Sequence, residues 1–89
     1  MARVSFTPAL QRHVACAARD ADGATVREVL DAVFADNARA RAYVLDDQSA
    51  LRKHMVIFVN GQRIRDRIHL SDAVAGDDQI YVLQSLSGG

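Results

Sequence analysis

Thr25-Val26-Arg27-Glu28-Val29-Leu30-Asp31-Ala32-Val33-Phe34 is the stretch on which the fold turns. Val26, Val29, Leu30, Val33 and Phe34 recur at i, i+3, i+4, i+7 and i+8, which puts one apolar stripe on a 3.6-residue helix. Thr25 and Glu28 have the spacing of a capping box. The Thr25 hydroxyl accepts the Glu28 N–H, and the Glu28 carboxylate reaches back to the Thr25 N–H. The helix is expected to fade near Asp36-Asn37, because Asn is an acceptable terminator. Arg39 to Leu45 reads as a second short helical piece, and Asp46-Asp47-Gln48-Ser49 as a loop.

Strands flank this helix on both sides. Upstream, Arg3-Val4-Ser5-Phe6-Thr7 alternates polar and apolar with the period of a half-buried strand, and Pro8 ends its ladder. Leu10 to Ala18 suits strand or helix by composition. The turn signal Asp20-Ala21-Asp22-Gly23 just after it favours a strand. Downstream, His54-Met55-Val56-Ile57-Phe58-Val59 is an apolar, β-branched run suited to a central strand. Asn60-Gly61 then signals a tight hairpin, since both residues tolerate positive φ. Gln62-Arg63-Ile64-Arg65 is the return strand, Gly76-Asp77-Asp78 a turn, and Ile80-Tyr81-Val82-Leu83 the last strand. A single main helix cannot cover both faces of a sheet. The expected architecture is therefore α+β, a mixed sheet of four to five strands wrapped around one main helix.

Composition narrows the function. The chain has 89 residues, 49% hydrophobic and 25% charged, which suits one small folded domain. Eleven Lys+Arg balance eleven Asp+Glu, which argues against a general nucleic-acid binder. No apolar run approaches the length of a membrane span and no signal-peptide core precedes the first strand, so no membrane partner and a cytoplasmic location are expected. Cys16 is the only cysteine, which excludes an internal disulfide and a multi-cysteine metal site. His13, His54 and His69 are too dispersed for a zinc site, so no metal is expected. Cys16, among Val14, Ala15, Ala17 and Ala18, reads as a small buried hydrophobe rather than a persulfide site. No Ser–His–Asp arrangement or phosphate-cradling glycine loop is present.

The chemistry-bearing feature is the end of the chain. Residues 1–84 read as the folded body and 85–89 as a flexible tail, Ser85-Leu86-Ser87-Gly88-Gly89. Glycine has no Cβ, so two of them let the backbone thread a narrow channel. A terminal α-carboxyl ionises with a pKa of about 3.3–3.7 and is a reactable group on an unhindered arm. The alternative is a frayed terminus.

Val56-Ile57-Phe58-Val59-Asn60-Gly61, Gly76-Asp77-Asp78-Gln79-Ile80-Tyr81-Val82 and the closing Gly88-Gly89 together resemble the ThiS/MoaD family of ubiquitin-like sulfur carrier proteins, over nearly the whole chain. The resemblance implies a β-grasp fold and a carrier that is a co-substrate, not an enzyme. It implies that an E1-like adenylating enzyme uses ATP on Gly89 and that Gly89 becomes a thiocarboxylate. Sulfur then passes to a biosynthetic acceptor enzyme in cofactor or amino-acid synthesis. Gly88, Ser87 and Leu86 would carry Gly89 into the partner's active site, and the carrier itself would bind no cofactor. Gly76-Asp77-Asp78 stands where the family commonly has Gly-Asp-Glu, and no proline precedes the tail. The segment from Arg39 to Lys53 is longer than in minimal thiamine-type carriers and looks more like carriers serving cysteine synthesis or related sulfur-transfer pathways. The competing readings are the small subunit of molybdopterin synthase, a ubiquitin-like protein modifier, and an interaction module with an inert tail.

Two further features bear on docking. Arg63, Arg65 and Arg67 alternate, with Arg52-Lys53 upstream, and Arg63 and Arg65 share one face if Gln62 to Arg65 is a strand; they form a basic patch for an acidic partner or a charged guard on an edge strand. Tyr81 and Leu86 are the candidate apolar anchors.

Overall fold

The computed structural model describes residues 1–85. The tail positions Leu86, Ser87, Gly88 and Gly89 lie outside the described residues. The elements run β1 (Ala2–Phe6), α1 (Pro8–Gln11), β2 (Arg19–Ala21), α2 (Val26–Val33), α3 (Ala38–Val44), β3 (Met55–Val59), β4 (Gln62–Arg63) and β5 (Gln79–Gln84). The strands form one five-stranded sheet in the order β2-β1-β5-β3-β4. β1 and β5 are parallel neighbours, and every other pairing is antiparallel. This is the mixed sheet around a main helix expected of a β-grasp fold.

The apolar stripe of α2 supplies one half of the core. Val26, Val29 and Leu30 are fully buried, and Val33 and Phe34 nearly so. Val4 and Phe6 of β1, Met55 and Ile57 of β3, and Ile80 and Val82 of β5 supply the other half from the inner face of the sheet. Each large apolar side chain buried there contributes about 1.5–3 kcal/mol. Among the described residues, no buried side-chain nitrogen or oxygen lacks a hydrogen-bond partner.

The start of α2 departs in one detail from the expected capping box. Thr25 Oγ1 accepts the Glu28 N–H at 3.2 Å, as the spacing predicts. The Glu28 carboxylate, however, accepts the Ala24 N–H at 2.9 Å rather than that of Thr25. Gly23 is needed just before, because a Cβ there would stand 2.8 Å from both Glu28 Cβ and the Val29 nitrogen.

Ahead of α3, three boundaries differ from the sequence reading. Leu10 to Ala18 is not a strand. Thr7 instead caps a short helix: its Oγ1 accepts the Leu10 N–H at 3.2 Å, and Pro8 takes the first helical position, where a missing N–H costs nothing. The second strand comes later, at Arg19–Ala21, running into the stretch read as a turn, because Ala2, Arg3 and Val4 pair there with Ala21, Asp20 and Arg19. Asn37 does not end α2 but caps α3, accepting the Ala40 N–H at 3.2 Å while its Nδ2 donates to Ala15 O at 2.8 Å.

The hairpin at Asn60-Gly61 forms as expected, with φ of 51° and 83°. Its return strand is shorter than expected and stops at Arg63. Ile64 turns into the core, and the Arg65 and Asp66 N–H groups donate to the Asp72 carboxylate at 2.9 and 2.8 Å instead of continuing the ladder.

Candidate functional site

β5 leads directly into the tail, so its surroundings set where the tail begins. It is held on both sides, by β1 through Phe6↔Val82 and by β3 through Met55↔Gln84. Two bonds fasten its end. The Ser85 N–H donates to His54 O at 2.7 Å, and Gln84 Nε2 donates to the Tyr43 hydroxyl at 2.6 Å. Tyr43 is itself braced by aromatic neighbours. The His13 ring stacks on it at 5.7 Å and 14°, and the His54 ring meets it edge-on at 6.4 Å. Sequence reading missed this brace, because it joins α3, the loop after α1 and the start of β3.

The outer face of the sheet is chemically different from the inner one. Tyr81 alternates with the buried Ile80 and Val82, so it points outward, 41% exposed. Phe58 lies directly opposite it on β3, and Arg63 lies opposite Phe58 on β4. The three form a row across the sheet, with the Arg63 guanidinium carbon 5.9 Å from the Phe58 ring centre, in cation–π range. The structure thus brings together Tyr81 and Arg63. It does not add Arg65 to them, because the strand that would align Arg63 with Arg65 ends at Arg63.

Beside this row, at the Ser85 end, opens a groove of about 620 Å³. Val56, Leu51 and Ile68 supply apolar lining, and Lys53, Arg63 and Arg67 supply positive charge. Arg67 is fixed by donation from Nη2 to Arg52 O at 2.8 Å. Arg27 of α2 ties the loops behind the groove together, donating to Ser49 O at 2.6 Å and His69 O at 3.2 Å.

Two acidic turns keep these loops in place. Asp66 accepts the Ser71 hydroxyl at 2.5 Å and the His69 and Ile68 N–H groups at 2.9 and 3.1 Å. Those bonds, led by the Ser71 hydroxyl, lower its pKa from 3.8 to about 2. Asp78, at the end of Gly76-Asp77-Asp78, accepts the Ala75 N–H at 2.9 Å and Asn60 Nδ2 at 2.8 Å, which also holds its carboxyl below the ordinary range. The shorter side chain therefore still closes this turn against the hairpin.

Cys16 is buried, its Sγ donates to Val14 O at 3.3 Å, and burial pushes its thiol pKa up, away from nucleophilic thiolate. Among the described residues no three His, Cys, Asp or Glu side chains gather as a metal site. Also among them, no helix is long and apolar enough to cross a membrane.

Comparison with known proteins fits this arrangement. Among solved structures, a chain of the Amycolatopsis orientalis BexX/CysO complex matches at 27% identity and a TM-score of 0.81, covering 100% of each chain. Haloferax volcanii SAMP1 matches at 25% identity and a TM-score of 0.76, covering 99% of this chain and 98% of that one. Mycobacterium tuberculosis CysO, at 24% identity and a TM-score of 0.78, shares the fold over 97% of this chain and 100% of its own. No curated protein matches. The family model of the ThiS family matches residues 8–89, nearly the full length. The chain belongs to the ThiS family of ubiquitin-like proteins.

Proposed function

We propose that this chain is a sulfur carrier whose C-terminal Gly89 is activated by an E1-like enzyme and charged as a thiocarboxylate. The observation that supports it most is that the family match runs through residue 89 and so takes in Gly88-Gly89. In the first step a Gly89 carboxylate oxygen attacks the α-phosphorus of ATP and pyrophosphate leaves. In the second, hydrosulfide attacks the acyl carbon and AMP leaves with the electron pair of the broken C–O bond. The product is the thiocarboxylate, and no redox change occurs at carbon. ATP binding and both transfers belong to the partner. The carrier supplies the carboxylate, with Leu86, Ser87 and Gly88 as the arm that delivers it, and binds no cofactor. A second enzyme then accepts the sulfur in cofactor or amino-acid synthesis. Tyr81, Phe58 and Arg63 offer the activating enzyme an aromatic and cationic docking row.

A modifier role is the second reading. It is favoured by the likeness to SAMP1, a small archaeal modifier protein. In that case a lysine amine replaces hydrosulfide as the nucleophile.

The first step is testable by exchange of radiolabelled pyrophosphate into ATP by the cognate activating enzyme. Exchange is expected to require this chain and to vanish when Gly88-Gly89 is deleted. Exchange that survives the deletion overturns the assignment of Gly89.

A further inference from the structure

The balanced net charge of the chain hides a lopsided distribution. From residue 52 to 67 there are five cations, Arg52, Lys53, Arg63, Arg65 and Arg67, and one carboxylate, Asp66. Asp66 is occupied by Ser71, His69 and Ile68. Among the described residues the arginine–carboxylate ion pairs are Arg3–Asp20, Arg19–Asp36 and Arg41–Asp31, all outside this stretch. Three of the six arginines elsewhere, Arg3, Arg19 and Arg41, therefore have acidic partners within the fold, whereas among the described residues none of the five cations of this cluster has one. Three of its members, Lys53, Arg63 and Arg67, line the groove beside Ser85. The one carboxylate in its lining, Asp46, already accepts the Gln48 and Ala50 N–H groups at 2.8 and 3.0 Å.

The floor between these charges is apolar. Val56 faces outward from β3, and Ile68 stands 61% exposed at the groove, the most exposed large hydrophobic after Met1 among the described residues. A nucleic-acid site needs phosphate contacts spread along a basic surface, with aromatic faces for unpaired bases. This groove instead pairs a confined apolar floor with cations at its walls. We infer that the groove is a binding site for an acidic, amphipathic peptide segment of a partner protein. One aliphatic side chain would enter between Val56, Leu51 and Ile68, with carboxylates on either side meeting Lys53, Arg63 and Arg67. This deepens the carrier reading and rests on it for the biological role, since the groove lies next to Ser85 and a partner seated there is beside the start of the tail.

The test uses the full chain and a fluorescein-labelled nonapeptide with a central leucine flanked by aspartates and glutamates. Fluorescence anisotropy is expected to show saturable binding. Combining Lys53→Glu with Arg63→Glu should weaken it by about tenfold or more. Replacing the peptide's leucine by serine should also weaken it by about tenfold. Both substituted side chains are exposed, and an unchanged thermal midpoint confirms that the variant is folded. In amide spectra of the wild-type chain, the resonances displaced by the peptide should include Val56, Ile68 and Lys53. No binding, equal binding of the serine peptide, or equal binding of a labelled single-stranded RNA of the same charge overturns the inference. Pyrophosphate exchange is run on the same preparation. If exchange needs Gly88-Gly89 but no peptide binds, the groove assignment alone falls. If the peptide binds but no exchange occurs, the carrier reading alone falls.

Discussion

The two faces of the sheet are built from the same strands and do opposite work. On the inner face Val4, Ile57, Ile80 and Val82 are essentially without solvent contact and meet α2 across an all-apolar seam. On the outer face the alternate residues are Tyr81, Phe58 and Arg63, half-buried or exposed, with the charged groove at one end. A seam of the first kind is complete in itself and sets stability. A row of the second kind is unfinished, and its side chains contribute little to folding. Alternation along β3 and β5 separates the two by a single residue, so a one-position register slip would exchange them.

The sharpest way to break the comparison is to delete inner packing. Leu30→Ala leaves a cavity at a fully buried position and is expected to cost about 2–5 kcal/mol in urea unfolding. A cost under about 1 kcal/mol would mean that α2 is not the organising helix. The next effect is at the end of β5. Tyr43→Phe removes the hydroxyl that accepts Gln84 Nε2 and should cost about 0.5–1.5 kcal/mol. Hydrogen exchange should also accelerate at the Ser85 amide, which lies next to the lost bond. Unchanged exchange there would show that the sheet alone holds the tail root.

A pH scan tests the loop behind the outer face. Asp66 has a folded pKa of about 2 against an ordinary 3.8, so its ionised form is favoured by the fold. Its contribution is fully present above the ordinary value and is lost as pH falls through about 2. The thermal midpoint of the wild type should therefore drop across that window, and Asp66→Asn should flatten the drop. An identical acid profile for the variant would contradict the role given to the Ser71, His69 and Ile68 bonds.

The smallest expected effect is on the outer face. Arg63→Glu and Tyr81→Ala should change stability by only about 0.5 kcal/mol. Both should raise the KM of the activating enzyme for this chain. A large loss of stability in either would mean that the outer row belongs to the core.

How much of this was legible in the sequence depended on how local each signal is. The stripe from Val26 to Phe34, the Asn60-Gly61 turn and the alternation of Ile80-Tyr81-Val82 report structure set within a few residues, and all three appear where expected. Thr7-Pro8 is equally local, but it reads as the end of β1 as readily as the start of a helix, and the turn signal at Asp20-Ala21-Asp22-Gly23 that favours a strand before it is itself partly strand. Arg65 was misplaced because the end of β4 is decided by Asp72, seven residues away, whose carboxylate captures two N–H groups. The Tyr43 brace and the groove were invisible for a stronger reason. Each assembles side chains from three or more segments, and no periodicity encodes such a meeting.

The central claim is most directly tested by the intact mass of the chain after incubation with its activating enzyme, ATP and hydrosulfide. The account predicts the gain of one sulfur in place of one oxygen, located at Gly89 by fragmentation and absent when Gly88-Gly89 is deleted. An unchanged mass alongside an enzyme that charges another carrier in the same reaction would contradict it, as would a sulfur found on Cys16.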